Sequence, residues 1–127
     1  MSTIKKKILV VDDEIIITRT LKKFLDGTGA YEVQVENQST KALDVAREFK
    51  PDLIILDVQM PDLEGGELAS LIQEDEAVKQ TPIVFLTALV QRREVRQSHG
   101  AIGGFQFIAK PLEPKMVIDT IESVLAA

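Results

Sequence analysis

The sequence predicts a doubly wound α/β domain, with a five-stranded parallel sheet and helices on both faces. Three observations carry this prediction. Short apolar runs rich in β-branched or aromatic residues recur along the chain, segments with helical spacing separate them, and Gly or Pro marks several joints. Strands alternating with helices build a parallel sheet through right-handed crossovers, because each helix must pack its apolar stripe back onto the sheet. The 127 residues, 45% of them hydrophobic, match one domain with a real core.

Residues 8–11, Ile-Leu-Val-Val, are too short for a helix and apolar throughout, the mark of a strand buried on both faces. A helix is expected over 14–26, where Ile17, Leu21, Phe24 and Leu25 keep helical spacing and Gly27 and Gly29 stop it. Residues 31–35 alternate apolar and polar (Tyr31, Val33, Val35), which suits an edge strand. Ser39 is the expected N-cap of a helix carrying Ala42, Leu43, Val45 and Ala46, which ends before Pro51. The third strand is 53–56, and the helix over 66–76 presents Leu68, Leu71 and Ile72. The fourth strand is 83–86, followed by a polar helix over 91–98 with Val95 as its main apolar contact. The fifth strand is 105–109. Pro114 then opens a helix to residue 125, with Val117, Ile118, Ile121, Val124 and Leu125 on one side. With no repeat, low-complexity tract or linker, residues 1–127 are expected to form one domain.

Charge and composition narrow the partners. Fifteen Lys+Arg against 20 Asp+Glu leave a net charge of −5. That balance opposes direct nucleic-acid binding, which needs cations against phosphates, and gives no attraction to anionic membranes. Without cysteine there can be no disulfide scaffold, thiolate metal site or Cys nucleophile. The apolar run after Lys5-Lys6-Lys7 is too short for a signal peptide and ends at Asp12-Asp13-Glu14. No apolar stretch approaches the ~20 residues of a membrane span. A soluble, cytoplasmic protein is expected.

Open α/β sheets bind ligands outside the C-terminal ends of their strands. Asp12 and Asp13 follow the first strand, Asp57 the third, Thr87 and Ala88 the fourth, and Lys110-Pro111 the fifth. Taken singly, each has a structural explanation: a helix cap, a loop acid, a solvated lysine. Together they put three acids, a hydroxyl and an ammonium on one edge. Clustered carboxylates raise one another's pKa, and a hard divalent cation such as Mg²⁺ relieves this. A carboxylate can also attack phosphorus to form an aspartyl phosphate, with the ion and a lysine offsetting charge on the transferring group.

These residues lie in five segments. They are Ile8-Leu9-Val10-Val11-Asp12-Asp13-Glu14, Asp52-Leu53-Ile54-Ile55-Leu56-Asp57-Val58-Gln59-Met60-Pro61, Gly65, Pro82-Ile83-Val84-Phe85-Leu86-Thr87-Ala88, and Phe107-Ile108-Ala109-Lys110-Pro111. Over essentially the whole chain this pattern resembles the receiver domain of bacterial two-component response regulators. The resemblance implies a flavodoxin-like fold with strand order 2-1-3-4-5. It implies that Asp57 accepts a phosphoryl group from a histidine kinase or histidine phosphotransfer protein. It further implies that Asp13, Asp57 and the Gln59 carbonyl ligate Mg²⁺, with Asp12 acting through a bound water. Lys110 would pair with the phosphoryl oxygens, and Thr87 with Phe107 would form the switch. Output would pass to a downstream protein, from a monomer or a phosphorylation-dependent dimer. The domain would stand alone or begin a longer regulator, catalysing only its own phosphoryl transfer and dephosphorylation.

The sequence departs from the commonest family pattern at four places. Phe107 stands where Tyr is frequent, Gln59 and Leu89 occupy positions that tune attack by water, and Gly103-Gly104 replaces acidic residues. His99 is read as a helix C-terminal residue, Arg92, Arg93 and Arg96 as a solvated basic face, and Met60-Pro61 as shapers of the turn after Asp57. Two other classes share parts of this pattern. An aspartyl-phosphate phosphohydrolase would carry an Asp-x-Asp turn after the first strand, whereas the acids here are adjacent. A flavodoxin-like cofactor binder would need a phosphate loop where Asp12-Asp13-Glu14 would repel one.

Overall fold

The computed structural model describes residues 4–88 and 105–126, and the backbone of 101–102. The expected helix over 91–98 lies outside the described residues, as do Leu89, His99 and Gly103-Gly104. Five parallel strands are present, β1 (Lys6–Val11), β2 (Tyr31–Glu36), β3 (Leu53–Asp57), β4 (Ile83–Thr87) and β6 (Phe105–Ala109). Their spatial order is β2-β1-β3-β4-β6, as the resemblance implied. All five expected parallel strands are thus present, and the sheet carries one short addition. A two-residue strand β5 (Ala101–Ile102) pairs antiparallel with β6 at the sheet edge, and two residues are too few to give a periodic signal.

The sheet divides two cores. On one face, α1 (Ile15–Gly27) and α4 (Pro114–Ala126) send Leu21, Leu25, Val117 and Ile121 against Ile8, Val10, Leu53, Ile55, Val84, Leu86 and Ile108. On the other, α2 (Ala42–Phe49) and α3 (Gly65–Glu74) set Ala42, Ala46, Leu68, Ala69 and Ile72 against Leu9, Val11, Ile54, Leu56 and Phe85. Alternate residues of each strand therefore feed opposite cores, which is why β1, β3 and β4 read as continuous apolar runs. Burying each such Leu, Ile or Val contributes about 1.5–3 kcal/mol. Among the described residues no helix is long and apolar enough to cross a membrane.

One local expectation changes, and two local details are added. Ser39 does not cap α2. It begins a short 3-10 turn (Ser39–Lys41) and donates its hydroxyl to the Pro61 carbonyl at 3.0 Å, tying the loop after β2 to the loop after β3. Met60, in the turn after Asp57, is also buried in the second core. β6 is only half-buried over Phe105–Phe107, because the sheet continues beyond it with two residues rather than a full strand.

Candidate functional site

Asp12 follows β1 directly and is completely buried. Its Oδ1 accepts a hydrogen bond from the Glu14 amide at 2.9 Å, an Asx-type turn that orients the carboxylate. Its backbone carbonyl accepts from Asn37 Nδ2 at 2.8 Å, and Asn37 also donates to Thr18 Oγ1 of α1 at 3.0 Å. Asp13 is exposed. Asp57 ends the central strand β3 and is 5% exposed. One carboxylate oxygen from each of Asp12, Asp13 and Asp57 lies within 4.8 Å of the others.

Lys110 enters from the end of β6, where its amide donates to the Thr87 carbonyl at 2.9 Å; the Lys110–Pro111 peptide is cis. The ammonium sits 3.1 Å from Asp12 Oδ2, 3.1 Å from Glu14 Oε1 and 3.3 Å from Asp57 Oδ1. One cation thus serves three anions. Burial pushes the Asp57 carboxyl up to about 6, and Asp12 and Asp13 add to the shift while Lys110 opposes it. Asp12 is likewise raised, chiefly by burial. Burial works against the Lys110 ammonium, but hydrogen bonding and charge from Asp12, Glu14 and Asp57 prevail and raise its pKa.

The donor set fits a hard divalent cation. Among the described residues, the buried Asp12 Oδ2 has the Lys110 ammonium at 3.1 Å as its one close partner, and that ammonium is shared with Glu14 and Asp57. One ammonium shared among three anions leaves the buried carboxylates short of positive charge, which a further cation would supply. Three clustered carboxylates supply the hard oxygen ligands such an ion takes. Beside them, Glu14, Asp57, Gln59, Thr87, Ala88 and Lys110 line a cleft of about 80 Å³, several times the roughly 10–15 Å³ that one water needs.

The two residues expected to switch share one sheet face. Thr87 is buried at the end of β4, two positions beyond Phe85, which belongs to the second core. Phe107 is half-buried against that same core, opposite Phe85 in register, with ring centroids 5.4 Å apart.

Every strand-end residue singled out from sequence therefore reaches this edge. Sequence reasoning assigned no role to Glu14 or Asn37. Asn37 lies one residue past β2, so the strand-end rule that found the acids also reaches it. Asn37→Ala is expected to lower stability by about 1–3 kcal/mol, since it strips the donor from the Asp12 carbonyl. It should also weaken divalent-cation binding at least ten-fold, as losses behind a ligand roughly do. Urea denaturation and calorimetric titration check the pair of effects, and an unchanged affinity would deny Asn37 any part in placing Asp12.

Comparison with known proteins agrees with this geometry. Residues 8–122 match the family described as the response regulator receiver domain. The polar-differentiation response regulator DivK of Brucella ovis is 31% identical over 124 residues, covering 94% of this chain and 96% of the relative. The chemotaxis protein CheY4 of Vibrio cholerae shares the fold with a TM-score of 0.81 at 31% identity, over 95% of this chain and 99% of that one. The receiver domain of the sensor histidine kinase PA1611 from Pseudomonas aeruginosa, a structure with magnesium coordinated in its active-site cleft, superposes with a TM-score of 0.81. At 21% identity over 98% of this chain and 100% of that one, its likeness concerns the fold. With the match extending from β1 into the last helix, the chain belongs to the response regulator receiver domains, the phosphorylation-controlled switches of two-component signalling.

Proposed function

We propose that Asp57 is the phosphoryl acceptor of this receiver. The observation that carries the reading is its position: a carboxylate ending the central strand, facing the cleft, 3.3 Å from a lysine ammonium. Its oxygen attacks the phosphorus of a phosphohistidine on a histidine kinase or histidine phosphotransfer protein. The P–N bond breaks, a P–O bond forms, and the leaving imidazole nitrogen takes up a proton. Asp13, Asp57 and the Gln59 carbonyl would hold Mg²⁺, with Asp12 behind them through a water. Bound there, the ion neutralises charge that develops on the transferring oxygens.

The chain's own groups do the rest. Lys110 turns its ammonium to the phosphoryl oxygens. The Thr87 hydroxyl approaches one of them, and the Phe107 ring turns inward to fill the space Thr87 leaves, converting a local charge event into a change of surface. Output then passes through protein–protein contact to a downstream partner. Residues 1–127 act as one cytoplasmic receiver domain, alone or at the head of a longer regulator, as a monomer or a phosphorylation-dependent dimer. It catalyses its own phosphoryl uptake and loss and needs no metabolic substrate.

Intact-mass measurement after incubation with Mg²⁺ and acetyl phosphate or phosphoramidate tests this reading. The wild type should gain one phosphoryl group, and Asp57→Asn should gain none. A wild type that takes up nothing, or an Asn variant that takes up as much, overturns it.

A further inference from the structure

We propose that Glu14 holds the Lys110 ammonium in reserve and makes phosphoryl uptake sensitive to the charge of the donor; this rests on Asp57 being the acceptor. Glu14 Oε1 is as close to the ammonium as Asp12 Oδ2, both at 3.1 Å, and closer than Asp57 Oδ1 at 3.3 Å. The backbone explains why this side chain is available. Glu14 is the N-cap residue of α1 yet makes no side-chain cap hydrogen bond. The shorter Asp, Asn, Ser and Thr side chains cap helices best at that position, so the longer Glu14 carboxylate is not committed to the first free amides. Here it reaches instead across the cleft to the end of β6.

Glu14 is also the exposed member of the set. Its side chain is 60% exposed, whereas those of Asp12, Asp57 and Lys110 are 0%, 7% and 12%. It lines the cleft together with Asp57, Thr87 and Lys110. An arriving phosphoryl group therefore meets a fixed negative charge in the wall before it reaches Asp57, and must draw Lys110 away from that charge. Asp12 and Asp57 keep the ammonium in place while Glu14 lets go. Glu14 is a positioning residue: it acts through Lys110 and through the local potential, and forms no bond to phosphorus.

Donors of different charge expose this role. Acetyl phosphate is doubly anionic at neutral pH, and phosphoramidate is a zwitterion with one net negative charge. With the first, the P–O bond to acetate breaks as Asp57 bonds to phosphorus, and acetate leaves as the anion. With the second, the P–N bond breaks and ammonia leaves from the already protonated nitrogen. If a unit charge acts on a phosphoryl group across roughly 5 Å of high-dielectric surroundings, its removal should favour the more anionic donor by roughly three- to four-fold. The preference should fade as salt screens it.

Initial rates of phosphoryl uptake at low ionic strength, read by intact mass for both donors with Mg²⁺, test the proposal in Glu14→Gln and Glu14→Asp. The ratio of the acetyl phosphate rate to the phosphoramidate rate should rise about three- to four-fold in Glu14→Gln and shrink back at about 0.5 M salt. It should stay at the wild-type value in Glu14→Asp, which keeps the charge. An unchanged ratio in Glu14→Gln, or an Asp variant that behaves like the Gln variant, overturns the role of Glu14 while leaving Asp57 as acceptor. A wild type that takes up no phosphoryl group overturns both. A second measurement needs neither donor nor metal: the ¹⁵Nζ–H protons of Lys110 should exchange with water faster in Glu14→Gln. Equal exchange would show that the contact holds nothing in reserve.

Discussion

Asp57→Asn is expected to make the metal-free protein more stable than the wild type at neutral pH, by about 1–3 kcal/mol. In the wild type, burial first and the neighbouring Asp12 second push the Asp57 carboxyl from 3.8 to about 6. The folded state thus holds a proton that the unfolded chain has released. A carboxylate with a raised folded pKa is most favourable to folding below its unfolded value, and that contribution is lost as pH climbs through the folded value. The wild type should therefore weaken between about pH 4 and about pH 7, by at most about 3 kcal/mol from this group. The Asn variant has no such group to titrate. Its gain is trimmed because Lys110 loses one of its three anions. Adding Mg²⁺ should reverse the order, since the wild type gains ligand-linked stability and the variant gains little. Urea unfolding across that pH window, with and without Mg²⁺, checks both halves. An Asn variant less stable than wild type at neutral pH without metal would mean that the Lys110–Asp57 attraction outweighs the burial of charge.

Gly65→Ala should be severe. Gly65 opens α3, and its amide donates to the Val58 carbonyl at 3.0 Å. A Cβ at this position would stand 2.2 Å from the Asp57 carbonyl oxygen and 3.0 Å from Val58 Cα. Both obstacles are backbone, so no side chain can swing aside. Either the first turn of α3 lifts or the end of β3 shifts. We expect a loss of at least about 3 kcal/mol, in the range of overpacked or strained sites. We also expect phosphoryl uptake to fall about a hundred-fold, because displacing a reacting group by roughly 1 Å costs that much. Gly66→Ala is the matched control. Nothing lies within 4 Å of its added Cβ, so it should be neutral or stabilising by up to about 1 kcal/mol. Urea midpoints and initial rates separate the two, and equal behaviour of the variants would remove the steric explanation.

The sheet was legible because β1, β3 and β4 are buried on both faces and carry unbroken apolar runs. The acids were legible because a parallel sheet gathers its strand ends on one edge, so Asp12, Asp13, Asp57, Thr87 and Lys110 could be grouped without knowing any distance. Contacts decided by side-chain reach stayed hidden. Nothing in the sequence tells whether Glu14 caps its helix or crosses to Lys110. Nothing tells whether Ser39 caps α2 or reaches Pro61, because local and long-range acceptors compete for the same oxygen. Gly65 was visible as a motif position, but the reason for it was hidden, because it comes from the close passage of the backbone at the end of β3. β5 escaped because a two-residue strand is defined by its partner.

The Lys110 ammonium meets Asp57 across 53 positions of sequence and Glu14 across 96. Closing contacts over such separations costs more loop entropy than closing local ones. Until β6 docks on β4, a nascent or partly folded sheet carries its acidic cluster without the internal counter-charge. Such a species is self-repelling at the very edge it must close. Lowering pH or adding a divalent cation eases that repulsion before the last strand arrives. Lys110 is thus also the piece that balances the charge of this edge once β6 is in place.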